Sequence, residues 1–545
     1  MMMYNAPMKT SLFKQILIVC KQGKADAINA SRCRRLMLAL VAVSVQVAVL
    51  PLAAMAADAR QVDAPIYLNA KDLTLATGNP SLVVWQHGAA AVPVWSMSGG
   101  QAGQSVAGVT PPLPLNCAAV RIEILTMNES VATNAQTAVY RVHLASLVTG
   151  MPSSANSTDG KPVLTAIPSM ARMLHKTVLD GCRIVQPGAP LALRIQREPD
   201  DAGDTYTRPE GLVQVKVTPL AAPPSAVAVE SRPGYNSWPM IQAIGPKLVC
   251  TYSRGSGHDI GEGRRDAYAR TSTDGGRTWT DEVALASDPL VGEVMTGKGM
   301  DNNGAALFWV RCIGRPKSRH ELYRTTDGVT FTKIAVSQLD PFPMQITDVF
   351  QTPSGLMSLW FATNYKEDGK HSWGTLVSAD NGATWVQRTV ESVAKKGELP
   401  TEPSAVHLGN GRILAVARTE TGGGSMASQF QLTSTDGGVT WTRRRTNIRD
   451  VLSSTPSLIY DSKTGLVSNY YYERGRGVVK CRVAKADAVF DNPMAWPDPV
   501  GVAFGCEERP WDAGNVNATA IGDAHCLTYY AGTKTDTSVY AIMVE

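Results

Sequence analysis

Apolar and polar residues alternate along several short runs of the chain, which is typical of half-buried β-strands. The runs Ala119–Leu125 and Leu191–Ile195 have this two-residue period, as expected when successive side chains point to opposite faces of a sheet. Turn-forming residues are frequent, since the 545-residue chain contains 47 Gly and 33 Pro. The pattern therefore predicts an all-β protein.

Four segments of the chain repeat one motif, with an aspartate at the third place and an aromatic residue at the end. They are Ser272–Trp279, Thr325–Phe331, Ser378–Trp385 and Ser434–Trp441. In a hairpin, the aspartate would accept backbone N–H bonds, glycine would supply a positive φ and the aromatic ring would pack between neighbouring sheets. The motif thus predicts a structural device rather than a catalytic one.

The spacing of the motif predicts the architecture. Its aspartates, at positions 274, 327, 380 and 436, are 53, 53 and 56 residues apart, a period that fits one four-stranded propeller blade. Residues 227–545 have room for about six such periods. We therefore expect a six-bladed β-propeller over residues 227–545.

The region before the propeller is expected to form a second domain, because a single core seldom exceeds roughly 250–300 residues. Residues 58–225 lack the motif but contain the alternating runs, which predicts a small β-sandwich. The segment Pro219–Ser225, rich in proline and alanine, is the expected linker.

The first 56 residues have the features of an export signal. Arg32, Arg34 and Arg35 precede the apolar stretch Leu36–Leu52, which ends in Ala54-Met55-Ala56. The cleavage-site pattern favours a removed signal over a transmembrane anchor. Residues 1–31 either extend this signal or precede the true start. We expect an exported protein, secreted, periplasmic or at the cell surface, with no stable membrane span after cleavage.

Charge and cysteine content exclude several classes of function. The net charge of +5 is small and dispersed, so nucleic acid is not an expected partner. Of the nine cysteines, Cys20 and Cys33 lie in the signal, and the others show no zinc-ligand spacing. Cys117 and Cys182 are the one pair considered for a disulfide. No metal or organic cofactor is implied.

The four motifs resemble the Asp boxes, or BNR repeats, of the sialidase superfamily. Residues 401–418 are similar to the sialidase segment in which a Glu opens one strand and an Arg closes the next; Glu402 and Arg418 occupy those places. Residues 470–482 resemble the later strand that carries another substrate-binding arginine. Arg476 has the better strand spacing for this role, and Arg474 is its rival.

Other stretches are more similar to the bacteriophage endosialidases, which cut polysialic acid internally. These stretches are Tyr235–Pro239, Val249–Gly255, Met344–Asp348 and Asp512–Thr519. The chain has Ser237-Trp238-Pro239 where exo-sialidases have Arg-Ile-Pro, and Asn515-Val516-Asn517 where their nucleophilic Tyr lies. Both departures imply endo-cleavage, and they equally permit weakened catalysis. The sandwich region resembles phage tail-fibre modules, a resemblance compatible with a homo-trimer.

The resemblance implies a chemistry that suits these residue types. Sialic acid carries an ionised carboxylate, which two guanidinium groups, Arg418 with Arg476 or Arg474, can bind through paired hydrogen bonds. Glu402 is implied as a catalytic carboxylate, although a structural ion pair with Arg418 is the alternative. The second acid is sought in the cluster at residues 258–266, where Asp259 fits best; solvated rim charge is the alternative there.

Three more residues complete the predicted substrate-binding set. Arg254 lies in one of the endosialidase-like stretches, and His258 belongs to the cluster around Asp259. Tyr472, in the run Tyr470–Tyr472, could form a wall on which a sugar stacks, with packing between blades as the alternative.

The sequence therefore predicts a glycoside hydrolase that acts on sialic acid or a related nonulosonic acid, within a polymer. The expected partner is a sialylated glycan or an acidic capsular polysaccharide. Three alternatives remain: a non-catalytic sialoglycan-binding propeller, an exo-sialidase, and a propeller enzyme for another acidic polysaccharide.

Overall fold

A computed structural model describes residues 61, 63–78, 80–87, 89–97, 104–130, 137–146, 157–166, 170–183, 188–197, 208–221, 226–258, 265–314, 317–337, 339–364, 369–419, 428–451, 454–473, 478–504, 514–533 and 535–544. The predicted signal, residues 1–56, lies outside this part of the chain. Residues 60–545 belong to one compact unit. Within the described ranges, no helix has both the length and the apolarity needed to cross a membrane.

The first eleven strands form two sheets. They are β1 (Ile66–Asn69), β2 (Thr74–Thr77), β3 (Ser81–His87), β4 (Ala90–Met97), β5 (Ser105–Pro112), β6 (Ala119–Asn128), β7 (Thr137–Ser146), β8 (Ser157–Ala166), β9 (Leu174–Arg183), β10 (Pro190–Arg197) and β11 (Glu210–Leu220). One sheet has the order β3-β4-β11-β6-β9, with β1 also paired to β11, and the other has the order β2-β5-β10-β7-β8.

Both sheets contribute to one apolar core. The two alternating runs recognised in the sequence lie in β6 and β10, one strand of each sheet. Their inward side chains, including Ile122, Ile124, Leu193 and Ile195, are at most 2% exposed and belong to the same cluster. Alternation of apolar residues thus produced strands that bury one face each.

The remaining strands follow from residue 227. They are β12 (Val227–Glu230), β13 (Tyr235–Ile244), β14 (Lys247–Gly255), β15 (Asp266–Ser272), β16 (Val283–Ala286), β17 (Val291–Met300), β18 (Ala306–Gly314), β19 (Arg319–Thr325), β20 (Thr332–Ser337), β21 (Gln345–Thr352), β22 (Gly355–Thr363), β23 (His371–Ser378), β24 (Val386–Val393), β25 (Pro400–Gly409), β26 (Arg412–Thr419), β27 (Phe430–Ser434), β28 (Thr442–Arg445), β29 (Pro456–Asp461), β30 (Leu466–Glu473), β31 (Val478–Lys485), β32 (Val500–Phe504), β33 (Gly514–Ile521), β34 (Ala524–Gly532) and β35 (Thr537–Val544).

Helices are short and few among the described residues. One α-helix, α1 (Ala486–Asp491), follows β31, and two 3₁₀ turns cover Ala70–Asp72 and Lys396–Glu398. The predicted all-β class is confirmed.

The strands from β12 onwards form six antiparallel groups of four in the described part of the chain. Five groups are consecutive in sequence, from β13–β16 to β29–β32, and the sixth consists of β33, β34 and β35 with β12 added to β35. The first strand of each group contacts the first strand of the next, from β13 through β17, β21, β25 and β29 to β33, and β33 contacts β13. We call these six strands the inner strands.

Side-chain oxygens join several inner strands to their neighbours. Ser404 Oγ accepts the Leu458 N–H at 2.9 Å, and Ser457 Oγ accepts the Ala518 N–H at 3.0 Å. Asn517 Oδ1 accepts the Ile241 N–H at 2.8 Å. These bonds satisfy backbone donors that have no ladder partner, since the inner strands share only the pair Gly299 with Val349 among the described residues.

The turn chemistry predicted for the repeated motif is confirmed. Asp436 Oδ1 accepts the Ser434 hydroxyl at 2.8 Å and the Thr440 N–H at 2.8 Å, while Gly437 and Gly438 have φ of 73° and 89°. The aromatic ring then packs across groups: Trp385 lies 5.3 Å from Trp309 of β18, and Trp441 lies 5.9 Å from Trp373 of β23. The motifs are therefore structural, as expected.

The described cysteines are apolar core residues. The thiols of Cys117, Cys250, Cys312, Cys481 and Cys526 are buried and free. The disulfide considered between Cys117 and Cys182 is therefore not formed, because Cys117 keeps its thiol beside the Ala119 carbonyl at 3.1 Å.

A buried carboxyl group on β17 makes this fold sensitive to pH. Glu293 is 2% exposed; its Oε1 accepts the Asp288 N–H at 2.8 Å, and its Oε2 has no hydrogen-bond partner among the described residues. Burial, assisted by the carboxylates of Asp266, Asp288 and Glu321, raises the pKa of Glu293 to about 7.

We expect Glu293→Gln to stabilise the protein at pH 8. Because the folded pKa lies above the unfolded value, the folded state retains a proton that the unfolded state loses between about pH 4.5 and 7, so stability falls with rising pH by on the order of 3 kcal/mol. The variant should lose this slope. Melting temperatures at pH 5 and pH 8 measure it, with the exposed Glu398→Gln as control. Equal slopes in wild type and variant would contradict the assignment.

Candidate functional site

A pocket lies among the inner strands. All six inner strands, or the residue directly before one of them, contribute to the wall. The lining residues are Pro239, Met240, Thr296, Gln345, Thr347, Asp348, Glu402, Pro403, Ser404, Thr455, Pro456, Asn515, Val516 and Asn517.

The pocket lies at a ring of β-bulges. Five inner strands break register with their partner at the pocket: β13 at Ser237/Met240, β17 at Met295/Gly297, β21 at Ile346/Val349, β25 at Thr401/Ser404 and β33 at Gly514/Asn517. A bulge turns an extra residue out of the ladder, and each of these extra residues or its neighbour lines the wall.

Three of the bulges hold a non-glycine residue at positive φ. The φ angles are 51° at Trp238, 46° at Glu402 and 50° at Asn515, and proline follows the first two. Left-handed backbone costs an L-residue roughly 1–2 kcal/mol, and such strain concentrates at functional sites. The geometry therefore favours a functional role for the residues that the bulges present.

Glu402 lines the pocket and forms an ion pair with Arg418. Thr401 of β25 pairs with Arg418 of β26, so the bulge directs the next residue, Glu402, toward the guanidinium. Arg418 Nη1 donates to Glu402 Oε2 at 2.7 Å, and the two side chains are 15% and 13% exposed. A partly desolvated ion pair holds both groups in fixed positions.

A second carboxyl group, Asp348 of β21, faces the same pocket. Ser404 Oγ donates to Asp348 Oδ2 at 2.5 Å. Because the Leu458 N–H already donates to Ser404 Oγ, the single serine proton points to Asp348. Desolvation raises the pKa of Asp348, against the opposing effects of Lys298, the Ser404 hydroxyl and the Ala405 backbone N–H.

Lys298 of β17 provides positive charge near Asp348. Its Nζ donates to the Ala518 carbonyl of β33 at 2.8 Å, which fixes the side chain across the ring of inner strands. Desolvation lowers the pKa of Lys298, and the charge of Asp348 opposes this shift. The two groups are therefore electrostatically coupled.

Two asparagines bring amide groups to the wall. Asn517 Oδ1 accepts the Ile241 N–H at 2.8 Å, and Asn515 Oδ1 accepts the Thr455 hydroxyl at 3.4 Å. Within the described ranges, neither amide NH₂ group has another partner. They are available as hydrogen-bond donors to hydroxyl or carbonyl oxygens of a ligand.

Arg254, predicted to bind substrate, belongs to a different cluster. Its guanidinium contacts Glu282 Oε2 and Glu230 Oε2, each at 2.7 Å, and its Nε donates to Asn236 Oδ1 at 2.8 Å. It also lies 4.8 Å from the Tyr268 ring. The structure thus places Arg254 in an ion-pair network and not among the residues that line the pocket.

His258 is exposed and lies against aromatic residues of β13. Its Nδ1 is 2.6 Å from the Tyr235 hydroxyl, and its ring centroid is 5.7 Å from that of Trp238. The buried Arg265 stacks on the same tryptophan, with its Cζ 4.7 Å from the ring centroid. Trp238 precedes the pocket residue Pro239, so this aromatic cluster supports the first bulge.

Tyr472 is fully buried in the apolar core beside Tyr529 of β34. Tyr472 is therefore a packing residue, the alternative to a sugar-stacking wall, and it does not line the pocket. Asp259, Arg474 and Arg476 lie outside the described residues, so of the predicted set the structure brings together Glu402 and Arg418.

The sequence did not predict five residues of the site: Asp348, Lys298, Ser404, Asn515 and Asn517. Asp348 and both asparagines fall in stretches compared with endosialidases, and this was their only signal. No feature of the sequence marks Ser404 or Lys298 as a site residue, because their role depends on contacts with residues that are distant in sequence. Groups of acidic, histidine or cysteine side chains suited to a metal are absent from the described part of the chain.

Comparison with known families supports the repeat. Residues 262–495 match the family model of the BNR repeat-like domain. This stretch contains all four motifs, so their identification as BNR-type repeats is confirmed. No curated protein sequence matches the chain significantly.

Several solved structures are similar. A protein of unknown function from Dyadobacter fermentans is 17% identical, covering 59% of this chain and 99% of its own, with a TM-score of 0.45. The NanB sialidase from Streptococcus pneumoniae is 11% identical, with 83% and 99% covered and a TM-score of 0.45. The Trypanosoma rangeli sialidase is 13% identical, with 59% and 58% covered and a TM-score of 0.44. At these values the similarities assign no residue or activity to this chain.

We expect Glu402→Gly to be more stable than Glu402→Ala, by about 1 kcal/mol, because only glycine adopts φ of 46° without strain. Thermal unfolding of the two variants measures this difference. At Val406, where the β25 register is regular, the same pair of substitutions should rank in the opposite order. A Glu402→Ala variant as stable as Glu402→Gly would show that the bulge is not strained.

Proposed function

We propose that this protein binds an acidic sugar of the sialic-acid type in the central pocket and hydrolyses its glycosidic bond. The observation that carries the proposal is the Glu402–Arg418 pair, at 2.7 Å, in a pocket that also contains the carboxyl group of Asp348. Two carboxyl groups in unlike environments are the basic equipment of a glycosidase. A cation beside them suits a substrate that is itself an anion.

The proposed scaffold is a six-bladed β-propeller preceded by a β-sandwich. Three features support the propeller: the six four-stranded groups, the succession of contacts between inner strands that returns from β33 to β13, and the pairing of β12 with β35. Joining the first and last strands in one group is a way to close such a ring and remove its open edges. The pocket would then lie at the central mouth.

Arg418 is the proposed anchor for the substrate carboxylate. A planar guanidinium can bind a carboxylate through two parallel N–H bonds, and its contact with Glu402 fixes its orientation. In this proposal, Arg476 or Arg474 supplies the second guanidinium. The amide groups of Asn515 and Asn517 would bind hydroxyl or acetamido oxygens of the sugar.

The proposed acid is Asp348. In its protonated form, it would donate the carboxyl proton to the leaving oxygen while the bond from the anomeric carbon to that oxygen breaks. The positive charge that develops on the ring would be stabilised by the substrate's own carboxylate and by Glu402. A water molecule then bonds to the anomeric carbon, and its proton passes to Glu402.

Cleavage within a polymer is the favoured mode. The residues that line the described pocket include no tyrosine, the nucleophile that exo-acting sialidases use, and Asn515 and Asn517 occupy the corresponding strand. We further propose that the protein reaches its substrate after export, by the signal predicted in residues 1–56.

Glu402→Gln should lower the rate of hydrolysis of polysialic acid at least 10³-fold while leaving its binding within about threefold, because the amide keeps the shape but neither stabilises the cation nor accepts a proton. Chain length of the products reports hydrolysis, and calorimetry reports binding. Asp523→Asn, in the exposed turn between β33 and β34, serves as control. An unmodified protein that binds but releases no product would identify the non-catalytic alternative, and preference for a uronate polymer would exclude sialic acid.

The pH dependence of the rate tests Asp348. Its acid form must be present, so activity should fall as the pH rises through its pKa. Lys298 opposes the raised pKa; Lys298→Gln should therefore move the alkaline limb upward, by roughly one pH unit. Lys247→Gln removes the same charge from a lysine that donates to the Asp327 carbonyl, and the limb should stay. A limb unmoved in folded Lys298→Gln would contradict the role of Asp348.

A further inference from the structure

Arg445, at the end of β28, extends over the strand that carries Arg418. Its Nη1 donates to Thr419 Oγ1 at 2.8 Å and to the Ser428 carbonyl at 3.0 Å. Its Nη2 donates to the carbonyl of Gly397 at 2.8 Å. Thr419 directly follows Arg418, and Gly397 lies three residues before β25, which carries Glu402. The guanidinium is therefore fixed near the ends of β25 and β26 that carry Glu402 and Arg418.

The fixed guanidinium keeps part of its binding capacity. It stacks on the Phe430 ring at 3.7 Å, and three of its five N–H groups make the hydrogen bonds above. Among the described residues, the N–H of Nε and one N–H of Nη2 have no hydrogen-bond partner, and no carboxylate forms an ion pair with the guanidinium, although the charge of Glu398 acts on it. Two N–H groups of one guanidinium are thus left to donate to a carboxylate.

Arg449 adds a second cation. It lies between β28 and β29, six residues before Thr455 of the pocket, and it is half-buried. In the described part of the chain it makes no hydrogen bond and no ion pair. Burial and the charges of Arg443 and Arg449 lower the pKa of Arg445 to about 10, against the opposing charge of Glu398, so these groups interact electrostatically. Arg443 forms an ion pair with Glu391 at 2.8 Å, whereas Arg445 and Arg449 form none in the described part of the chain.

We propose that Arg445 and Arg449 form a second anion-binding subsite, which holds the carboxylate of a neighbouring residue of an acidic polysaccharide while another residue occupies the central pocket. The proposal rests on the proposed function and narrows its substrate to a chain with repeated carboxylates. Two guanidinium groups that form no ion pair with a carboxylate repel each other, and an anion between them would relieve this repulsion. A polymer supplies that anion without the entropy cost of a second binding event.

The test is the length dependence of binding. In a Glu402→Gln background, which prevents cleavage, calorimetry would compare sialic acid oligomers of one, three and six residues and polygalacturonate. We expect the hexamer to bind at least tenfold more tightly than the monomer. Arg449→Gln should remove about tenfold of the hexamer affinity, as for one charge-assisted hydrogen-bond pair, and leave the monomer affinity unchanged.

Matched variants separate this effect from a general loss of charge or of folding. Arg444→Gln removes one positive charge from β28, next to Arg445. Its side chain donates to the Asp491 and Phe490 carbonyls, and the variant should leave hexamer binding unchanged. In the described part of the chain, Arg449 makes no hydrogen bond or ion pair that its replacement would break. Arg445→Gln, checked by its melting temperature because of the Phe430 contact, should resemble Arg449→Gln.

Each outcome decides the proposal. If the monomer binds and Arg449→Gln leaves the affinity for the hexamer unchanged, the subsite is overturned and the proposed function stands. Binding of polygalacturonate alone, lost in Arg449→Gln, would support the subsite and overturn the preference for sialic acid. Failure of the Glu402→Gln protein to bind any of these ligands would overturn both.

Discussion

The structure depends on the contact of six inner strands, each with the next and the last with the first. Among the described residues the inner strands share one parallel ladder pair, Gly299 with Val349, so their other backbone donors need other partners. Ser404, Ser457 and Asn517 supply side-chain oxygens for three of these donors. Close approach also requires small residues: a Cβ on Gly299 would lie 2.0 Å from the Val349 carbonyl.

The same constraint produces the site. Where the inner strands converge, five of them bulge and turn residues out of their ladders into one pocket, three at positive φ. Polar groups placed there are partly withdrawn from water, which strengthens the Glu402–Arg418 pair and raises the pKa of Asp348. Ser404 serves both purposes, since its hydroxyl accepts from the neighbouring inner strand and donates to Asp348. The groups that hold the ring together therefore also set the chemistry of the pocket.

Charge extends the proposed function beyond a single sugar. Other arginines form ion pairs, as Arg254 does with Glu230 and Glu282 and Arg443 does with Glu391. Arg445 hydrogen-bonds to uncharged oxygens, with the charge of Glu398 acting on it, and Arg449 has no hydrogen-bond or ion-pair partner in the described chain. A site for one acidic sugar and a neighbouring site for the next carboxylate together favour a polymer, since the affinity of each adds through the linkage between them.

The sequence by itself determined the all-β class, the alternating strands of the first two sheets, the turn chemistry of the repeated motif and the pair Glu402–Arg418. These features depend on local periodicity, on turn residues and on two positions joined by one hairpin. Only the tertiary structure decided that Arg254 and Tyr472 lie away from the pocket and that Asp348, Lys298 and Ser404 lie at or beside it. Those residues come from separate groups of strands, and what a charged side chain does depends on the partners that the ring of inner strands brings to it.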